Sequence, residues 1–318
     1  MTINLTQVKP RALAAGILSF LPIVRGLTCG SSGGTGSARY CYSVWMRHLI
    51  KAHNAGMHSE TSCVAELGPG DSIGIGLASI LTGVEHYIAL DAKSHANTQR
   101  NLAILDELHD LFARRTAIPG EDEFPNIQPQ IESSGFPAHI LTTERLASAL
   151  ARSRVQAVRR AILGQESQIR IEYKAPWYDP AIVSPKSVDL IFSQAVLEHV
   201  DDLDQVYESM SMWLKPGGYV SHSVDFKCHG LTRDWNGYWE VSDLIWMLVR
   251  GTRPYLINRE PASRHLELLT RNGFAVVSTE RKYRQVSASF RPSKSFRHLQ
   301  PDDIKTASMF IQAVLSTA

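Results

Sequence analysis

The sequence predicts an α/β fold, a largely parallel sheet with helices on both faces. Two observations carry this. β-prone runs alternate with helical patterns twice in succession between residues 62 and 113, and the alternation resumes between residues 169 and 225. The chain has 318 residues, 44% apolar and 20% charged, which is ample for a buried core. That composition excludes a disordered, collagen-like or disulfide-framework chain.

The elements follow in order. Lys9 and Arg11 precede an apolar run, Ala12 to Val24, broken by Pro22. Arg25 stands where a signal peptide wants small residues, and the run is too short to span a bilayer. It predicts an N-terminal helix or arm docked on the body. Residues 28–37 form a Gly/Ser loop, and Tyr42, Trp45, Met46, Leu49 and Ile50 then recur at helical spacing. Ser62–Leu67 reads as a strand ending in Gly68-Pro69-Gly70, followed by a helix over Ile73–Leu81. His86–Leu90 is a second strand ending at Asp91, and a helix covers 94–113 with Leu105, Leu108 and Phe112 on one face.

Residues 116–141 carry four prolines and no clear period. Residues 143–163 read as one basic amphipathic helix, with Arg145, Arg152, Arg154, Arg159 and Arg160 directed outward. Strands follow at Ile169–Tyr173 and Val188–Ser193. Asp202–Leu214 is a helix, stopped by Pro216-Gly217-Gly218, and Tyr219–Asp225 is the next strand. Residues 226–257 are rich in aromatics. A helix opens at Pro261 and ends before Gly273, Phe274–Thr279 is a strand, and Ile304–Leu315 is read as a last strand at the sheet edge. The organisation is an N-terminal helical arm at 1–60 and a main domain at 61–318. That domain carries an insertion at 116–168 and an aromatic cap at 226–270.

Charge and cysteines narrow the setting. Lys and Arg number 33 against 31 Asp and Glu, a formal net charge of +2. That gives no global argument for nucleic acid or membrane partners. Cys29, Cys41, Cys63 and Cys228 form no C-x-x-C pair, which argues against a structural zinc site and fits a reducing cytoplasmic setting.

The chemistry concentrates at Glu66-Leu67-Gly68-Pro69-Gly70. Glycines let main chain pass close to a ligand where a Cβ would collide, and the following helix offers free N–H groups. Asp91 lies 21 residues after Gly70, at the end of the next strand, where a carboxylate accepts both hydroxyl hydrogens of a ribose. Turn and acid together describe a nucleoside site at the carboxyl edge of a sheet. A dinucleotide fingerprint wants a third glycine where Ile73 stands, with Gly74 one residue late, which weakens a nicotinamide reading.

Glu-Leu-Gly-Pro-Gly followed by Ala-Leu-Asp resembles the first two motifs of class I S-adenosylmethionine-dependent methyltransferases. Val188-Asp189-Leu190-Ile191-Phe192-Ser193-Gln194-Ala195-Val196-Leu197-Glu198-His199-Val200 is similar to the fourth-strand motif of the small-molecule branch that includes ubiquinone-biosynthesis methyltransferases. Trp213-Leu214-Lys215-Pro216-Gly217-Gly218 matches that family's turn into the fifth strand. The resemblance implies a Rossmann-like, mostly parallel seven-stranded sheet and S-adenosylmethionine as methyl donor. Glu66, Gly68, Pro69 and Gly70 would lie beside the methionine moiety, Asp91 on the ribose and Ala92 near the adenine. Ala175, Pro176 and Trp177 would meet the adenine ring, with Trp177 stacking. Ser193 and Gln194 would face the methionine portion.

Methyl transfer needs an acceptor held in line, and a hydroxyl acceptor must also lose its proton. His229 and His222 rank first as bases because they follow or end the fifth strand, with His199 third. No metal is expected. The reading is methylation of a small molecule, at oxygen. RNA methylation, supported only by the arginine helix, and a non-catalytic nucleoside-binding protein are the alternatives. Tyr40, beyond the Gly/Ser loop, reads first as helix packing, with attraction of a sulfonium through its ring as the alternative.

Overall fold

The computed structural model describes residues 6–21, 34–57, 61–93 and 97–317. Seven strands, β1 (Cys63–Leu67), β2 (His86–Leu90), β3 (Arg170–Lys174), β4 (Val188–Gln194), β5 (Leu214–Asp225), β6 (Phe274–Tyr283) and β7 (Thr306–Leu315), form one sheet in the order β3-β2-β1-β4-β5-β7-β6. β1 to β5 pair in parallel, and β7 runs antiparallel to β5 and β6. This is the seven-stranded, mostly parallel sheet that the resemblance implied. The chain leaves β1 toward β2 and β3, then returns to the other side of β1 at β4. That reversal opens a crevice at the carboxyl ends of β1 and β4.

Ten helices cover the sheet among the described residues: α1 (Pro10–Leu18), α2 (Ala38–Asn54), α3 (Gly74–Ile80), α4 (Thr98–Ala113), α5 (Thr143–Ala149), α6 (Arg152–Ile162), α7 (Leu203–Trp213), α8 (Asp243–Arg250), α9 (Ala262–Arg271) and α10 (Pro301–Lys305). The β-strand alternation sorts their cores. Val64, Leu190 and Phe192 face α2, α3 and α4, while Ala65, Ile191 and Val220 face α7 and α9. A third cluster, with Val8, Ala12, Tyr238, Trp239, Trp246 and Phe290, forms beside the sheet.

Several expectations change. Within residues 1–60, the described helices α1 and α2 belong to different clusters. Gly16 of α1 lies against the Leu248 and Val249 carbonyls of α8, where a Cβ would come within 2.1 Å, so α1 belongs to the aromatic cluster. α2 is seated in the main core, capped by Ser37, whose Oγ accepts from Tyr40 N at 3.3 Å. The residues 22–33, with Cys29 and most of the Gly/Ser loop, lie outside the described residues.

The single arginine helix is two, broken at Leu150-Ala151; Arg152 and Arg160 are exposed as expected, whereas Arg145 and Arg154 turn inward. Arg145 Nε donates to Thr82 O at 2.9 Å, and Arg154 Nη2 donates to Val84 O at 2.7 Å. Both guanidinium groups satisfy carbonyls left free around the end of α3. The aromatic cap is likewise mostly core. Tyr238, Trp239 and Trp246 are buried in the third cluster, and Trp235 is half-buried with its Nε1 donating to Gln285 O at 2.9 Å. β5 begins five residues earlier than expected, with the Pro216-Gly217-Gly218 turn as an irregularity between its pairings to Val188 and Leu190. The C-terminal segment is a strand, as expected, with α10 ahead of it, but it lies between β5 and β6 rather than at the sheet edge, which β6 forms.

Candidate functional site

A cleft of about 470 Å³ opens at the carboxyl ends of β1, β2, β3 and β4. Its floor is the turn after β1. Gly68 has φ +65° and Gly70 has φ +74°, conformations that L side chains resist. A Cβ on Gly68 would stand 2.6 Å from Val196 Cγ2, so only glycine lets this turn pass the β4 exit. Gly68 N donates to Leu90 O at 2.8 Å, and Asp91 N donates to Lys174 O at 2.9 Å, which ties the three exits together. Below the turn, Gly76 of α3 faces the Tyr87 ring so closely that a Cβ would overlap it.

Asp91 sits at the mouth of β2, largely buried. Its Oδ1 accepts from Ala92 N at 2.7 Å, and its Oδ2 accepts from Tyr173 Oη at 3.1 Å. Each carboxylate oxygen keeps accepting capacity beyond these bonds. Trp177 and Tyr178 line the cleft beyond β3, and Tyr178 Oη lies 2.9 Å from Tyr255 Oη.

Of the residues singled out in the sequence, Gly68, Pro69, Gly70, Asp91, Ala92, Trp177, Gln194 and His199 line this cleft. Glu66, Ala175, Pro176 and Ser193 do not. Glu66 is buried beneath the turn, accepting from Tyr87 Oη, and burial pushes its carboxyl up to about 8. It supports the turn rather than facing the cleft. Ala175 and Pro176 stand back from it.

Ser193 and His222 are cross-strand partners on the α7 face, with His222 Nδ1 2.8 Å from Ser193 Oγ. The alternation decides this: Gln194 and Ser221 point to the α2 face, and Ser193 and His222 point away. His222 is fully buried, with its ring 6.5 Å from that of Tyr207, and burial lowers its pKa to about 3. It is not placed to take a proton from a bound acceptor.

His229 lies outside the cleft lining but close behind it. Its ring centroid is 5.1 Å from that of His199, and its Nε2 is 3.4 Å from Asp225 Oδ2. His199 Nδ1 is 2.8 Å from Tyr255 O. Burial and the neighbouring His229 lower the pKa of His199, which keeps the imidazole neutral.

Four residues escaped sequence reasoning. Thr35 closes one side: its Oγ1 accepts from Asp71 N at 3.0 Å, and its carbonyl accepts from Ser72 Oγ. His48 is fully buried on α2, with Nδ1 2.8 Å from Ser221 Oγ and Nε2 3.2 Å from Gln194 Oε1, and burial lowers its pKa to about 4. Gln194 Nε2 donates to Gln128 O at 3.2 Å, so His48 and the insertion together fix the Gln194 amide. Tyr178 and Val196 complete the cleft walls. Helical spacing marked the α2 face as apolar core, which hid the polar His48.

Asn258 anchors the turn after β4, its Nδ2 donating to Leu197 O at 2.7 Å and Val200 O at 2.9 Å. The next residue, Arg259, is sandwiched between the Trp246 and Phe296 rings at 4.9 and 4.7 Å.

A second chamber of about 580 Å³ adjoins the cleft and shares Tyr40, Gln194 and Ala195 with it. Its walls come from the insertion (Phe124 to Gln128), the β5 exit (Ser223 to Lys227) and the end of β6 (Lys282 to Arg284). Lys227 Nζ is paired with Asp225 at 3.0 Å and Lys282 Nζ with Glu121 at 2.9 Å. Tyr40 stands at the junction with its ring edge-on to Phe124 at 5.3 Å.

Comparison with known proteins places part of the chain. A family model described as a methyltransferase domain matches residues 139–221, which contain β3, β4 and the start of β5. No curated protein matches the chain. Among solved structures, the chain is similar to an S-adenosylmethionine-dependent methyltransferase from Mesorhizobium loti (15% identity, 88% of this chain and 100% of that one, TM-score 0.43). It is similar to a second such enzyme from Methanosarcina mazei (14% identity, 84% and 98%, TM-score 0.43). It is also similar to phosphoethanolamine N-methyltransferase 2 from Haemonchus contortus, solved with S-adenosylmethionine (13% identity, 95% and 61%, TM-score 0.44). Each of these TM-scores lies below 0.5, a distant likeness that says nothing of the acceptor.

Proposed function

We propose that this chain, a class I S-adenosylmethionine-dependent methyltransferase, moves the methyl group onto the oxygen of a small hydroxylated molecule. The observation that carries the reading is the junction of an apolar nucleoside-sized cleft with a polar chamber over Gln194 and Ala195. Both volumes fall in the range of small-molecule sites. Among the described residues no helix is long and apolar enough to cross a membrane, and two of the five arginines that might have met RNA, Arg145 and Arg154, are turned onto the protein's own carbonyls.

The residues present fit the donor. The Gly68 turn leaves bare main chain where a Cβ would close the cleft, and Asp91 offers lone pairs for two ribose hydroxyls. When bound, S-adenosylmethionine supplies an electrophilic methyl carbon on a positively charged sulfur. Trp177 and Tyr178 offer ring faces to an adenine, and the Tyr40 ring favours a sulfonium beside it. Gln194, held by His48 and Gln128, hydrogen-bonds the methionine portion.

The acceptor occupies the polar chamber. His199 has one ring nitrogen committed to the Tyr255 carbonyl, so the other is free to take the acceptor's proton. Asp225 stands near enough to favour the charge that forms, against the opposing effect of His229. Positioning of the acceptor supplies the larger part, roughly 7–11 kcal/mol of the barrier. The test is turnover with S-adenosylmethionine and a panel of sugars, phenols and matched amines, with the methylated product identified by mass spectrometry. S-adenosylhomocysteine is expected only with hydroxylated acceptors. Turnover confined to the amines would overturn the assignment to oxygen.

A further inference from the structure

We propose that Glu198, His199 and His229 form a binding site for one divalent first-row transition cation, of which Zn²⁺ is the type. A donor atom of each side chain lies within 4.8 Å of those of the other two. Ligands of one ion, with bonds of about 2.0–2.2 Å, stand some 3–4 Å apart, so a small rotation of the two rings completes the set. Two imidazoles and one carboxylate suit zinc and its neighbours, whereas magnesium and calcium prefer all-oxygen cages. Three protein ligands leave a position open toward the cleft that His199 lines.

A second observation points to the same ligand. Glu198 is 3% exposed, and neither carboxylate oxygen has a hydrogen-bond partner among the described residues. Buried carboxylates are ordinarily paired, hydrogen-bonded or bound to a metal.

The two rings are held as metal-binding histidines are held. A ligating imidazole donates its outer N–H to a carbonyl or carboxylate, which fixes its tautomer. His199 Nδ1 faces Tyr255 O at 2.8 Å, and His229 Nε2 faces Asp225 Oδ2 at 3.4 Å. That leaves Nε2 of His199 and Nδ1 of His229 as the available donors. Lys227 is paired with the other local carboxylate, Asp225, at 3.0 Å. The site rests on the proposed methyl transfer and deepens it, because an ion here would make His199 a ligand in place of a base and would lower the pKa of a bound acceptor hydroxyl, whose proton then passes to solvent water.

The test uses the full chain after chelation and dialysis. Calorimetric titration with Zn²⁺ is expected to give one ion per chain, and Co²⁺ a visible absorption band of low-symmetry coordination. Glu198→Gln and His229→Ala should each weaken binding at least tenfold, with S-adenosylhomocysteine affinity retained. His229 is partly exposed, so its variant decides the matter if Glu198→Gln fails to fold. Absence of saturable one-to-one binding, or both variants binding zinc as tightly as the parent, would overturn the site. S-adenosylhomocysteine binding in the same samples separates the two readings: a chain that binds it but no zinc keeps the methyltransferase assignment and loses this one.

Discussion

The two chambers are built by different means. The cleft proposed for the cofactor is made at four neighbouring strand ends, largely from main chain bent at Gly68, Gly70 and Ala195 and from one carboxylate, Asp91. The adjoining chamber is assembled from side chains of segments far apart in the chain: Phe124 to Gln128, Asp225 and Lys227, Lys282 and Arg284. Backbone geometry demands particular residues at fixed spacing, whereas side-chain walls accept many solutions. The first kind of site can be read from a short motif and the second cannot. Substitutions should separate them in the same way.

The largest effect is expected at the shared floor. Gly68→Ala places a Cβ against Val196 in a left-handed conformation, costing about 1–3 kcal/mol locally. S-adenosylmethionine affinity should fall a hundredfold or more. Adding Val196→Ala should recover only part of it, because the backbone conformation remains unfavourable. Full recovery, measured by calorimetry, would show that the contact alone mattered.

An intermediate effect is expected across the junction. Lys282→Glu or Arg284→Glu should raise KM for the acceptor about tenfold while leaving S-adenosylhomocysteine binding unchanged, if the walls act separately. A parallel loss of cofactor affinity would merge the two chambers into one.

The effects smallest on ligand binding are pH-dependent effects on stability, and they have opposite signs. Glu66 supports the cofactor turn with a carboxyl raised to about 8. It holds its proton in the folded chain where the unfolded chain has released it. Stability should therefore fall as pH rises from about 4.5 to 8, by at most about 1.4 kcal/mol per pH unit. Urea denaturation of the parent against Glu66→Gln should show that difference, and parallel curves would refute it.

The buried imidazoles of His48, His222 and His265, lowered to about 4, 3 and 3, act the other way. They bind protons only on unfolding, so stability should fall as pH drops below 6.5 toward 4. A stability profile flat from pH 6.5 to 4.5 would contradict their neutral burial.

The parallel strands, their turns and Asp91 were legible because each obeys a local rule: alternation of apolar runs, glycine at left-handed positions, an acid at a strand end. The antiparallel return of β7 was legible only as a strand. His222 misled because its distance from the fifth-strand exit was right while its parity was not. One residue along a strand reverses the face, and the sequence offers no mark of which face carries the crevice. Arg145 and Arg154 misled because composition cannot tell a solvated guanidinium from one that caps a helix. The aromatics at 235–246 pack a core of their own, where the bias resembled a pocket lining. His48 and Thr35 act through contacts with residues far along the chain, and no spacing announces such contacts.

The central claim is that a sulfonium nucleoside binds between the Gly68 turn and Asp91. Calorimetry of S-adenosylmethionine with the parent chain and with Asp91→Ala tests it most directly. One-to-one binding by the parent and a loss of about tenfold to a hundredfold in the variant is the predicted result, since two ribose hydroxyls lose their charged acceptor. Equal affinity in both chains, or no binding by the parent, would contradict it.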